Sequence, residues 1–441
     1  MNDTRVQPPG AMSARELNSG APPSPVAVHT PSQQKGKVVS LFGGFGLGNL
    51  GNEITLQAIL FHFRKRFPDV TLNCICTHPE ITAANHQIAT LPVTPSLIGA
   101  WRPRNRLARI LRSTVIGIPN ELYRWLGAFK SLTRTSALIV PGTGLLTDAY
   151  GLTGWGPYNS FKWSLMAKMR GCKLVYVSVG AGPIHSWIGK WLVRSALALA
   201  DFRSYRDNET KAFLNSIGAA RKTDRVFPDL AFSIVDEIRP KPEMQNRPRP
   251  VIGLGLMLYH GKLSSDEARE STYKAYLEHF VVFVKWLLAR GYDVRLLIGE
   301  GSDIAVTAEF NNLLKSRLDP HDAERVIDEP ASSVEELLAQ LSETTAVVAT
   351  RFHNILLALA LNKPAICVSF HQKCTSLMQD MGLAEYCQEI KKLDSAKLIE
   401  QFCRLEQNSE SLKRMIRAKV EDCRRALDEQ YDLIFKDLLA E

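Results

Sequence analysis

From Ala346 to Phe370 the chain reads AVVATRFHNILLALALNKPAICVSF, and few architectures accommodate that order. A β-branched run to Thr350 is followed by an apolar helix through Leu361. Asn362 closes the helix, Pro364 prevents its return, and Ala365 to Phe370 forms the next buried strand. Strand, helix and strand in one stretch make a βαβ unit, which requires a parallel sheet with helices over its faces. Ligands of open parallel sheets bind beyond the carboxyl ends of the strands. Arg351 and His353 stand at such an end, beside a helix N-terminus that favours anions, and are the first candidates for chemistry. In the competing reading Arg351 pairs with a nearby carboxylate and His353 caps the helix.

The same alternation runs through the rest of the chain. Lys37 to Gly44 is a strand ending in glycines, followed by FGLGNLGNE and an amphipathic helix from Ile54 to Phe67. The glycines let the backbone turn tightly and approach a ligand, while Asn49 and Asn52 can cap the helix or donate hydrogen bonds. The turn is not a GxGxxG fingerprint and no acidic residue closes the next strand, so bound NAD is not expected; a purely structural turn competes. Further strands end at GTGLLTD, with Gly144, and at VSVGAGPI, with His185 after it. Arg206 and Asp207 precede a helix that Asn208 can cap, and Asp229 follows Pro228.

A charged, Pro-rich stretch without periodicity marks a linker at residues 236–250. The chain therefore divides into a tail at 1–36, a Rossmann-like domain at 37–235 on the acceptor side, a second at 251–393 on the donor side, and C-terminal helices at 394–441, one of them able to cross back to the first domain. The fold class is α/β, with two doubly wound domains around a cleft.

Composition narrows the function. The 441 residues carry 45% hydrophobic content, and the longest apolar runs are too short and too interrupted for a bilayer span. The opening residues lack a signal-peptide core and are Pro-, Ser- and Gly-rich, which predicts a disordered tail. Eight scattered cysteines without CxxC or zinc spacing read as reduced, mostly buried thiols of a cytoplasmic protein, and no metal site is expected. The net charge of +9 suits anionic ligands, but no nucleic-acid signature accompanies it. Arg102, Arg104, Arg106, Arg109 and Arg112, followed by Trp125, Leu126 and Phe129, suggest a basic helix on an anionic membrane surface; a solvated charged face is the alternative.

The GNLGNE turn, GTGLLTD, VSVGAGPI, SYRDNET, FPDLAF and RFHNILLALALNKPAICVSFHQKCTSLMQDMGL, in this order, resemble the polysaccharide pyruvyl transferases over most of the chain after residue 37. The resemblance implies a GT-B-like fold and transfer of the enolpyruvyl group of phosphoenolpyruvate, as a donor substrate without other cofactor, to a sugar of an exopolysaccharide or lipid-linked precursor as a ketal. It places Arg351 and His353 in the donor site and adds Arg206 as an anion contact. His353 is the expected proton donor to C3, with Asn49, Asn52, Gly144, His185 and His371 as substrate contacts. Asn52 stands where the family usually has an acid, and Phe370 and His371 stand where it often has Tyr-Asp, so the acceptor does not transfer by resemblance. The cysteine usage points to a cytoplasmic protein, and the arginine run leaves peripheral contact at the inner face of the membrane as an option. Two rivals remain: a GT-B glycosyltransferase whose nucleotide-sugar ribose would need Glu300 and Asp303, and a non-catalytic carbohydrate-binding or scaffold homologue.

Overall fold

The structure, a computed structural model, describes residues 37–95, 117–149, 151, 156–240, 248–259 and 266–439. The predicted tail and the arginine run at 102–112 lie outside these residues, as do residues 241–247 of the predicted linker, whose first residues instead continue the short helix Val235–Ile238. The described residues form one compact unit.

That unit contains two parallel sheets. The first consists of β1 (Val38–Gly43), β2 (Thr71–Cys76), β3 (Ala89–Pro92), β4 (Thr135–Pro141), β5 (Lys173–Val179), β6 (Phe202–Tyr205) and β7 (Arg225–Val226). Their spatial order is β3-β2-β1-β4-β5-β6-β7. The second consists of β8 (Val251–Gly255), β9 (Asp293–Leu297), β10 (Val326–Ile327), β11 (Thr344–Ala349), β12 (Ala365–Ser369) and β13 (Cys387–Glu389), in the order β10-β9-β8-β11-β12-β13. The central strands are buried along nearly their whole length, as strands covered by helices on both faces must be. In each sheet the winding reverses beside the first strand, between β1 and β4 and between β8 and β11. A reversal leaves a crevice at the carboxyl ends of those strands. The GNLGNE turn follows β1 and Arg351 follows β11, so topology alone sends both motifs to crevices.

Several helices start earlier than their apolar periodicity suggests. The first spans Leu50–Arg66 because Asn49 caps it, accepting from the Asn52 amide at 3.1 Å. Others span Pro157–Met169 and Trp187–Ala198, the latter capped by Ser186. The helix Asn208–Ser216 is capped by Asp207, not by Asn208, since the Asp207 carboxylate accepts from the Thr210 amide at 2.6 Å. Asn362 closes the Phe352–Ala360 helix in the left-handed region, φ 59°, which asparagine tolerates well.

The C-terminal helices join the sheets. Ser395–Gln407 packs Phe402 against Phe283, Trp286 and Tyr292. The next helix, Ser409–Leu439, returns to the first sheet layer, where Tyr431 stacks on His62 at 3.8 Å and Phe435 meets Phe63 edge-on at 4.9 Å. Its Gln430 lies buried between Ser178 and Ser204, accepting from Ser204 Oγ at 2.7 Å and exchanging hydrogen bonds with Ser178. One continuous cluster of buried apolar residues therefore reaches from Val39 and Ile59 through Phe232 and Tyr431 to Val347 and Phe402. All eight cysteines are free thiols, five of them buried. No helix among the described residues is long and apolar enough to cross a membrane.

Candidate active site

The GNLGNE turn meets the loop after β9. Leu50 N donates to Gly299 O at 3.0 Å, Gly301 N donates to Gly48 O at 3.0 Å, and Asn49 Nδ2 donates to Glu300 Oε2 at 2.9 Å. These bonds fix the first helix of one layer against the strand ends of the other. They also bring Gly51 face to face with His353. A Cβ at Gly51 would lie 1.8 Å from His353 Nδ1, so only glycine admits the ring there.

His353 sits in the first turn of the Phe352–Ala360 helix, two residues after its N-cap, Arg351. The ring is largely buried, and Nε2 has no hydrogen-bond partner among the described residues. The nearest carboxylate is that of Asp229, 3.8 Å away, at ion-pair range but beyond a hydrogen bond. Burial, followed by the positive charges of Lys373, Arg206 and Arg351, holds the imidazole pKa well below its ordinary value of 6.5. That shift favours the neutral imidazole.

Two cations surround it. Arg206 leaves the end of β6 and lies 4.9 Å over the Phe352 ring, with Nη1 3.3 Å from Asp229 Oδ2. Gly180 makes room for it, since a Cβ there would lie 2.7 Å from Arg206 Nη2. Lys373, in the first turn of the Gln372–Asp380 helix, places Nζ 5.3 Å over the same Phe352 ring and 5.6 Å over Phe370. Unlike Arg206, its ammonium has no carboxylate within ion-pair distance among the described residues. Burial, then Arg206, pushes its pKa down. Asp229 is buried and caps the short 3-10 helix Leu230–Ser233; burial raises its pKa despite Arg206. Arg206 is thus held between two carboxylates, Asp229 and Asp207, the latter with Oδ2 3.6 Å from Arg206 Nε, while Lys373 has none at ion-pair distance among the described residues.

Arg351 behaves differently. Its Nε contacts both Asp303 oxygens at 3.0 Å, and Nη2 reaches Asp303 at 2.5 Å and Glu300 at 2.9 Å. Its fork is thus turned onto acids of its own layer, as the carboxylate-pairing alternative has it, while its charge still acts on His353. Glu300 and Asp303 are occupied by Arg351 and Asn49, and Asp303 also accepts from the Gly299 and Glu300 amides.

The remaining candidates are spread more widely. Asn52 donates to Gly44 O at 3.0 Å and serves the turn, and Glu53 beside it bonds Gly46 N at 2.8 Å and His86 at 2.7 Å. His371 caps the Gln372–Asp380 helix, accepting from Lys373 N at 3.2 Å, and stands exposed beside the cation pair. Gly144 is exposed with open space where its side chain would be. His185 is exposed on the loop after β5, its amide donating to Asp148 Oδ2 at 2.8 Å. Gly144 and His185 lie on the β4 and β5 strand ends, which are joined by the bridge of Leu146 to Ala181.

Sequence reasoning passed over Lys373. One signal was available: a lysine in the first turn of a helix opposes the helix dipole, and at a strand end such a residue calls for an anion. Asp319, His321 and Asp322 also gather potential ligand atoms, but on an exposed turn that precedes β10, at the opposite ends of the strands. There Asp319 caps the turn and Asp322 pairs with Arg325.

A family model described as Polysaccharide pyruvyl transferase matches residues 49–372. No curated protein sequence matches the chain. Among solved structures, a putative UDP-N-acetylglucosamine 2-epimerase from Listeria monocytogenes has a TM-score of 0.61 at 14% identity, covering 91% of this chain and 96% of its own. MurG from Acinetobacter baumannii has a TM-score of 0.50 at 12% identity, covering 91% and 99%. At these identities the likeness is one of fold, and it makes the architecture GT-B-like.

Proposed function

The chain belongs to the polysaccharide pyruvyl transferase family, and from that premise we propose that it transfers the enolpyruvyl group of phosphoenolpyruvate to a sugar of an exopolysaccharide or lipid-linked precursor, forming a pyruvate ketal. The observation that carries this reading is the placement of Arg206, Lys373 and His353 around Phe352 and Asp229. Phosphoenolpyruvate presents a carboxylate and a phosphate close together, and two fixed cations at a helix N-terminus suit such a double anion. Lys373 supplies charge with no carboxylate at ion-pair distance among the described residues, and Arg206 supplies a planar fork beside Asp229 and Asp207. The bound charges raise the His353 pKa again, so its imidazolium forms in the donor complex.

Proton transfer from His353 to C3 makes C2 electrophilic, and a sugar hydroxyl adds there, losing its proton. Departure of phosphate regenerates an electrophilic C2, and a second hydroxyl closes the ketal. One of the two hydroxyl protons leaves with phosphate and the other restores the imidazolium. Asp229, 3.8 Å from the ring, would balance its charge. Gly144, His185 and His371 line the strand ends where the acceptor would lie.

Glu300 and Asp303, the acids a nucleotide ribose would need, are already engaged, which disfavours the nucleotide-sugar reading. A scaffold protein would have no use for a largely buried imidazole whose Nε2 lacks a hydrogen-bond partner among the described residues, which costs stability. The test is incubation with phosphoenolpyruvate and a panel of lipid-linked and nitrophenyl sugars. Phosphate release together with a pyruvate mass increment on the sugar is expected. UDP release from a nucleotide sugar, with neither of those signals, would overturn the reading.

A further inference from the structure

The helix Ile118–Ser131 turns the wrong face to water. Its outward stripe is Ile118, Leu122 and Leu126, 66%, 61% and 52% exposed, with Tyr123 beside it. A helix that merely covers a sheet presents polar residues there. Two helices away, Trp187 is 77% exposed and Trp191 is 54% exposed. The helix between them, Pro157–Met169, continues the strip through ring contacts: Trp125 meets Tyr158 at 6.4 Å and Phe161 meets Trp191 at 5.5 Å. The apolar residues therefore form one surface across three helices.

Its charge is one-sided. Lys130, Arg134, Lys190 and Arg194 lie on or beside these helices and pair with no carboxylate among the described residues. The helix Trp187–Ala198 contains no acid, and the one acid of Ile118–Ser131, Glu121, is consumed internally by Arg124, Lys162 and Tyr158. A second copy of this chain docked face to face would bring these cations together without counter-charges. An anionic lipid surface meets both features at once, because tryptophans settle at the headgroup level while lysine and arginine attract anionic lipid.

The surface also has a fixed relation to the cleft. The Ile118–Ser131 helix runs into β4, so its N-terminus, with Ile118 and Leu122, lies at the carboxyl end of the sheet. Trp187 opens the helix that follows the β5 strand-end loop, directly after the cap Ser186, whose amide and that of His185 are held by Asp148 at 2.9 and 2.8 Å. Both clusters thus stand at the end of the layer where the crevice opens.

We propose that this face docks the protein on an anionic bilayer, with Ile118, Leu122, Leu126, Trp187 and Trp191 entering the interface and the crevice opening along it. A sugar on a lipid carrier would then reach the crevice without leaving the membrane. The docking itself stands whether or not the donor is phosphoenolpyruvate.

The experiment is sedimentation of the full chain with vesicles of phosphatidylglycerol and phosphatidylcholine in equal parts, against phosphatidylcholine alone, at low and high salt. Binding to the mixed vesicles, weakened by salt, and quenching of tryptophan fluorescence by brominated lipid are expected. Leu122→Asp and Trp187→Asp, each at a solvent-facing position, should reduce binding by about tenfold or more with circular dichroism and melting unchanged. Lys190→Glu with Arg194→Glu should erase the preference for anionic lipid. Equal recovery of wild type and both aspartate variants would overturn the proposal. So would a stable dimer in sedimentation velocity that Trp187→Asp dissociates, with no vesicle binding, since the face would then join two copies.

Discussion

In the proposed reaction His353 gives the proton and Lys373 holds the anion, so their substitutions should separate. A charge-assisted contact to phosphate or carboxylate contributes about 1.5–3 kcal/mol, so Lys373→Ala should weaken phosphoenolpyruvate binding by roughly tenfold or more. His353→Gln fits the space against Gly51 better than a larger side chain and keeps a polar tip, but has no proton to give. It should retain most donor affinity and lose about 10²–10⁴ in turnover. Isothermal titration of phosphoenolpyruvate beside the rate of phosphate release distinguishes the two, and a His353→Gln enzyme with weak binding but normal saturated turnover would make the histidine a binding group. Arg351 and His353 were legible in the sequence because a strand end beside a helix start is visible in the residue pattern. The engagement of Arg351 by Asp303 was not, because Asp303 comes from a separate strand–helix turn nearly fifty positions earlier.

At the scale of elements, the decisive contact is between two strand-end turns. The pairing of Gly48 to Leu50 with Gly299 to Gly301 presses the first helix onto the second layer, and Gly51 is the point of closest approach. Gly51→Ala therefore removes no polar group of the site and still displaces His353. Turnover should fall by about 10² or more, a loss of the kind that misplacement of a catalytic group produces, while far-UV circular dichroism stays unchanged. A variant with wild-type kcat would show that the ring can move aside at no cost. Glycine-rich turns were recognisable in the sequence, but which glycine serves the turn and which admits a side chain from elsewhere depends on the partner. Gly46 and Gly48 have positive φ and serve the turn; Gly51 is helical and serves His353.

For the whole molecule, the C-terminal helix makes the two layers interdependent, and acid should reveal it. His62 stacks on Tyr431 of that helix, and burial, followed by the charge of Lys65, lowers its pKa from 6.5 to about 4. His353 is lowered as well, mainly by burial. A histidine held neutral in the fold binds fewer protons than in the unfolded chain, so stability is retained above pH 6.5 and falls as pH drops from there toward about 4. The urea midpoint should decline across that window, and His62→Gln should flatten the decline; an unchanged slope in the variant would place the acid sensitivity elsewhere. The amino-acid order by itself determined the alternation of strands and helices, the two parallel layers and the strand ends that carry the conspicuous motifs, because periodicity, glycine turns and caps act over a few neighbouring residues; that a C-terminal helix returns to the first layer was only one option. Only the tertiary structure decided that Lys373 stays uncompensated while Arg351 is paired, that Asp229 lies beneath His353, and that Trp187 and Leu122 share one outer surface. Those facts depend on which groups from distant segments meet in a low-dielectric cleft or remain uncovered, and no local pattern encodes the distance between them.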